Sequence, residues 1–123
     1  MSIANLIIIF IAVFLSAVGQ IFLKIAANII GPISLKSNVL ELLSLSMNIY
    51  LLLGLMSYFI STIIWIVALS RVSVSIAYPM ISLGYVFVAL AAWFLFNEPL
   101  SSIKLLALGI IIFGIILLAH SSN

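Results

Sequence analysis

The sequence predicts an all-α membrane protein of four transmembrane helices, and three observations carry that prediction. Of the 123 residues, 67% are apolar and only 5% charged, far outside the range of water-soluble globular chains. The charged residues are six, Lys24, Lys36, Glu41, Arg71, Glu98 and Lys104, and they stand between long uncharged runs. Four of those runs, 3–23, 48–70, 74–96 and 103–119, are long enough to cross a hydrocarbon core of roughly 30 Å at about 1.5 Å per residue. The chain is expected to form one domain over 1–123. Segments of about ten alternating residues, the mark of a barrel, do not occur.

The first run follows "MSIAN", which carries no basic side chain, and no small-residue cleavage pattern comes after it, so it is expected to remain as a helix. The connection 25–47 is the one long link. It contains Gly31-Pro32 and then an apolar stretch from Val39 to Leu45 around Glu41, which suggests a short interfacial helix. The link around Arg71 is tight, as is the one at 97–102, where Pro99, Ser101 and Ser102 suit a turn and a helix start. Short links make successive helices antiparallel. Lys24, Lys36 and Lys104 then share one side, with Arg71 and the N-terminal amine on the other. By a narrow margin this favours both termini outside the cytoplasm, and insertion in both senses stays open.

Composition also excludes chemistry. There is no cysteine and a single histidine, His120, so neither disulfides nor a metal centre is expected. No nucleophile–base pair stands out, no cofactor is called for, and the small positive charge at the membrane edges gives no reason to expect a nucleic-acid partner.

At helical spacing the first span places Ala12, Ser16, Gln20 and Lys24 on one face, with Gly19 beside them. The second offers Gly54, Tyr58, Ser61 and Trp65, joined by Ser57 and Thr62, and the third Ser75, Tyr78, Ser82, Tyr85 and Ala89. Two readings stand. Small and hydroxyl residues let membrane helices approach and hydrogen-bond, for roughly 0.6 kcal/mol each. Alternatively the three stripes jointly line a cavity for a partly polar substrate, with Tyr and Trp as flat walls. In the third span Pro79 lacks an N–H and disturbs the carbonyl of Ser75, and Gly84 adds freedom, so a kink or hinge is expected there. The fourth span is apolar, with Ala107 and Gly114 seven apart on one face, a pattern for helix association and dimer formation.

Taken together, "SAVGQIFLKIA", "SIAYPMISLGYVFVALAAWFLFNEPLS" and "LGIIIFGIILLA" resemble the small multidrug resistance proteins and the wider drug/metabolite transporter superfamily. Within it they are most similar to aminoarabinose-phosphoundecaprenol flippase subunits. The resemblance rests on Gly19, Gln20 and Lys24, on Ala77, Tyr78, Pro79 and Ser82, and on Glu98-Pro99. It implies a multi-pass protein of the bacterial inner membrane, paired as a homodimer or with a paralogous four-helix subunit. It further implies movement of a lipid-linked sugar between leaflets, of the kind used in lipopolysaccharide modification. In the drug-exporting branch a first-helix glutamate couples protons to cationic substrates; counting from Gly19 and Lys24, Ser16 stands in its place. A hydroxyl neither exchanges a proton near neutral pH nor neutralises a bound cation, which argues against drug/proton antiport.

The substrate-binding residues expected on this reading are Ser16, Gln20, Lys24, Tyr58, Ser61, Trp65, Arg71, Tyr78, Ser82, Glu98 and Lys104. The lysines would gather a phosphate, the hydroxyls and the amide would hold the sugar, and Arg71 would meet the phosphate on exit. The same four basic residues are equally read as membrane-edge anchors whose stems lie in lipid. A small-molecule exporter lacking the membrane glutamate, or a non-transporting helper subunit, are the competing functions.

Overall fold

A computed structural model describes residues 2–30 and 48–121. The expected interfacial helix at Val39–Leu45, with Glu41 and the nearby Lys36, lies outside the described residues. Among the latter there are no strands. Helix α1 spans Ile3–Ile30, α2 Ile49–Leu69, α3 Val74–Ala77, α4 Leu83–Phe96 and α5 Ser102–Ser121, with a 3-10 segment Tyr78–Ser82 joining α3 to α4. Four stretches are long and apolar enough to cross a membrane: most of α1, α2, the composite Val74–Phe96, and α5.

Side-chain oxygens begin these helices where the sequence supplies them. Ser2 Oγ accepts from the Asn5 amide at 3.2 Å, Asn48 Oδ1 from Tyr50 at 2.9 Å, and Ser101 Oγ from Lys104 at 3.2 Å, satisfying amides that have no partner within a first turn. The end of α4 is closed differently. Asn97 is left-handed, with φ 55, and its amide and that of Glu98 both turn back to the Ala92 carbonyl. Asparagine tolerates this conformation where a β-branched residue does not. Asn97→Gly is therefore expected to leave stability unchanged or slightly raised, and Asn97→Val to cost about 1–2 kcal/mol, read by unfolding in detergent micelles.

α1 is longer than the uncharged run predicts, because Lys24 does not end it. From Ile3 to Lys24 the helix climbs about 32 Å, so Lys24 stands at the far membrane edge and "IAANII" carries the helix beyond it. α1 packs along its length against α2 and less extensively against α4; α5 sits at the periphery, touching mainly the 3-10 segment and α4. The core lies toward the Arg71 end, where Ile9 and Val13 of α1 meet Ala68, Ala77, Met80 and Ile115. Toward the Lys24 end the helices are joined by Gly19 and Gly54. A Cβ on Gly54 would stand 3.0 Å from the Gly19 carbonyl oxygen and 2.9 Å from Leu23 Cδ2. Such backbone-to-backbone approach is what small residues permit in membrane bundles. The outward faces, including Phe59, Phe94, Ile103 and Phe113, are apolar and exposed, as lipid-facing surfaces must be.

Candidate functional site

Three hollows run in series through the bundle. The first, about 200 Å³, lies between α1 and α2 and is lined by Ser16, Tyr58, Ser61, Thr62 and Trp65, with Ala12, Val13 and Ile81 closing its apolar side. The second, about 320 Å³, lies between α1 and the third span and takes in Ser16, Gln20, Gly84 and Tyr85. Val13, Ser16 and Ile81 line both, so Ser16 stands at their junction. The third, about 310 Å³, lies between α4 and α5; it shares Tyr85 and Val88 with the second and ends at Glu98, Pro99 and Lys104. Neighbouring hollows have lining residues in common, so the three lie side by side as a track of cavities from Ser16 to Glu98 and Lys104.

Local sequence explains the shape. Gly19 has no side chain, so the ring of Tyr58 lies across it; a Cβ there would stand 3.0 Å from Tyr58 Cδ2. Phe10 and Phe14 hold α1 to α4 through edge-on contacts with Phe87 at 5.5 and 5.6 Å, and the second hollow lies beside this contact. Helix α2 satisfies its own hydroxyls: Ser61 Oγ and Thr62 Oγ1 each donate to the Tyr58 carbonyl at 2.8 Å, and Ser57 Oγ to Leu53 at 3.0 Å. Their protons are used, and what they offer the first hollow is lone pairs. Ser16 differs. Its half-buried hydroxyl has no hydrogen-bond partner among the described residues, and it faces two hollows.

The charged edge is assembled from three elements. Lys24 Nζ, on the C-terminal part of α1, lies 4.0 Å from Glu98 Oε1, both side chains about half exposed. Lys104 Nζ, one turn into α5, donates to the Pro99 carbonyl at 3.0 Å. An exposed pair of this kind contributes only about 0–1 kcal/mol, so its interest is placement rather than stability. Arg71 is exposed at the opposite end, in the short link after α2, and lines none of the three hollows.

Of the residues singled out from sequence, Ser16, Gln20, Tyr58, Ser61, Trp65, Glu98 and Lys104 line the track, and Lys24 reaches its edge through Glu98. Tyr78 and Ser82 line none of the three hollows, and Tyr78 is 66% exposed. The cause is the 3-10 segment. At about 120° per residue, positions four apart diverge by about 120°, whereas in an α-helix they diverge by about 40°. The third span instead contributes Ile81 and Tyr85. Thr62 and Tyr85 belong to the expected stripes and line hollows without being among the expected binding residues; four-residue spacing from Tyr58 marks the first of them. Pro79 lies within the 3-10 segment. A Cβ on Gly84 would stand in ordinary contact with Val13 Cγ1 at 3.5 Å, and one on Gly114 would meet nothing within 4 Å. Ala107 lines the third hollow. No grouping of three or more His, Cys, Asp or Glu side chains occurs among the described residues.

A model of the EamA-like transporter family matches residues 29–119. The chain belongs to that family. Curated relatives carry a more specific description. A Klebsiella pneumoniae protein described as probable 4-amino-4-deoxy-L-arabinose-phosphoundecaprenol flippase subunit ArnE is 42% identical over 59 residues, 48% of this chain and 53% of the relative. A Shewanella sediminis protein, described as the corresponding subunit ArnF, is 43% identical over 72 residues, 57% of this chain and 50% of the relative. The chain thus spans about half the length of these two. A Pseudomonas fluorescens ArnE is 30% identical over 116 residues, 94% of this chain and 97% of the relative. No solved structure matches. Bacterial relatives and helical rather than barrel spans place this family member in the cytoplasmic membrane.

Proposed function

We propose that this chain is one subunit of a flippase for a prenyl phosphate bearing a sugar, such as the aminoarabinose lipid in its relatives' names. The observation that carries this reading is the track, whose polar side chains lead from Ser16 to a membrane edge with two lysines. An isoprenoid tail stays in lipid, so only phosphate and sugar need a polar route. Lys24 and Lys104 collect the phosphate as point charges. The sugar passes Gln20 and Ser16, which donate and accept, while Tyr58 and Trp65 cover its apolar faces and Ser61 offers an acceptor. Arg71 meets the phosphate at the opposite end. The 3-10 segment with Pro79, followed by Gly84, bends as the route opens alternately to each side. No covalent chemistry is involved.

Two subunits complete the route. The third hollow opens between α4 and α5, and α5 presents Ile110, Phe113 and Leu117 outward with Gly114 among them. A copy of this chain or a paralogous four-helix subunit packs there and walls the track from lipid.

The test is transfer of a labelled undecaprenyl-phosphate-linked sugar in vesicles. Lys24→Gln and Arg71→Gln are each expected to slow it about tenfold, the loss of one charge-assisted phosphate contact of about 1.5 kcal/mol; unchanged transfer in both removes the phosphate role. The flat walls of Tyr58 and Trp65 also suit a planar organic molecule. Protection against such compounds on expression, with no sugar-lipid transfer, would identify a small-molecule exporter instead.

A further inference from the structure

Glu98 is the one carboxylate side chain among the described residues, and it stands where the track meets the membrane edge. Its neighbourhood is built to hold it there. Asn97 takes the left-handed conformation and the Glu98 amide is tied to the Ala92 carbonyl, which fixes the backbone that carries the carboxylate. Its Oε1 lies 4.0 Å from Lys24 Nζ, and the carbonyl of the next residue, Pro99, accepts from Lys104 Nζ at 3.0 Å. One three-residue turn thus occupies both lysines at this edge, one through a charge and one through a dipole.

Two lysines and one carboxylate at this edge leave an excess positive charge, and Lys104 and Glu98 lie beside an apolar groove walled by Val88, Ala92 and Leu108. Both partners of the ion pair are about half exposed, so the pair is weak and exchangeable.

We propose that Glu98 is a placeholder anion, occupying the position that the substrate's phosphate takes and yielding it on binding. This rests on the flippase reading and adds the basis of its selectivity. A phosphate displaces the carboxylate because it offers Lys24 and Lys104 more acceptor oxygens at once. A lipid with an uncharged head has nothing to exchange and leaves the pair closed.

The experiment uses the full chain in detergent micelles and compares binding of fluorescent farnesyl phosphate with that of fluorescent farnesol. Glu98→Gln is expected to bind the phosphate about two- to fivefold more tightly, the range set by loss of an exposed competing pair, with farnesol unchanged. If wild-type protein binds farnesyl phosphate but Glu98→Gln binds it equally or less well, or gains equally for farnesol, the placeholder role is overturned and the flippase reading stands. If wild-type protein fails to bind farnesyl phosphate, the placeholder role is overturned, and transfer of the labelled undecaprenyl-phosphate-linked sugar decides the flippase reading separately.

Discussion

Gly54→Val is expected to prevent α1 and α2 from packing and to remove most folded protein from the membrane. At this position any Cβ would fall 3.0 Å from the Gly19 carbonyl oxygen and 2.9 Å from a Leu23 methyl carbon. Leu23 can swing away, but a backbone carbonyl within a helix cannot, so relief requires the two helices to separate. Overpacking in a close-packed interior costs roughly 1–3 kcal/mol where neighbours can adjust; with backbone on the opposing side the cost is expected at or above the top of that range. Separation also removes the support on which the Tyr58 ring rests, and with it a wall of the first hollow. Gly84→Ala and Gly114→Ala are the controls. The first would place its methyl in ordinary contact with Val13 and the second in open space, so both are expected to be neutral or mildly stabilising. Yield of folded protein and unfolding in detergent micelles distinguish the three variants.

Ser16→Leu is expected to reduce transfer of the lipid-linked sugar at least tenfold while leaving the fold intact. Ser16 lines both of the first two hollows, of about 200 and 320 Å³, so a leucine has room without straining the helices and takes up space that a substrate would use. It also removes a hydroxyl that has no competing partner among the described residues. A sugar hydroxyl crossing this point would lose its partner, worth about 1–1.5 kcal/mol, close to tenfold in rate before the steric block is added. Ser16→Thr keeps the hydroxyl and is expected to remain within a few-fold of wild type. Wild-type rates in Ser16→Leu would mean that the substrate travels elsewhere.

Composition alone revealed the four spans, because charged residues are too costly in lipid to leave their positions ambiguous. The stripes of α1 and α2 were legible for a similar reason: both helices are regular, so four-residue spacing holds and Ser16 and Gln20 face the track with Tyr58, Ser61 and Trp65. The same spacing groups Tyr78 and Ser82 with Tyr85, but it assumes α-geometry through Pro79 where the chain is 3-10, and of the three only Tyr85 lines a hollow. Pro79 signalled a disturbance but not the new rotation of the side chains around it. The contact of Gly19 with Gly54 and the pairing of Lys24 with Glu98 were not visible in sequence. Each joins residues distant in the chain, and which helix rows face each other is decided by packing rather than by local pattern. Lys24 was expected to end α1, but a lysine at the membrane edge lets its helix continue into the interface.

That this track carries a lipid with an anionic, sugar-bearing head can be tested on the purified protein. The most direct test is the lipid retained by the protein purified from its own membrane in mild detergent, identified by mass spectrometry beside the Ser16→Leu variant. A prenyl phosphate bearing a sugar is expected to be enriched over bulk phospholipid with the wild-type protein and depleted with the variant. Bulk phospholipids alone, in membrane proportions and equal in both preparations, would contradict the account.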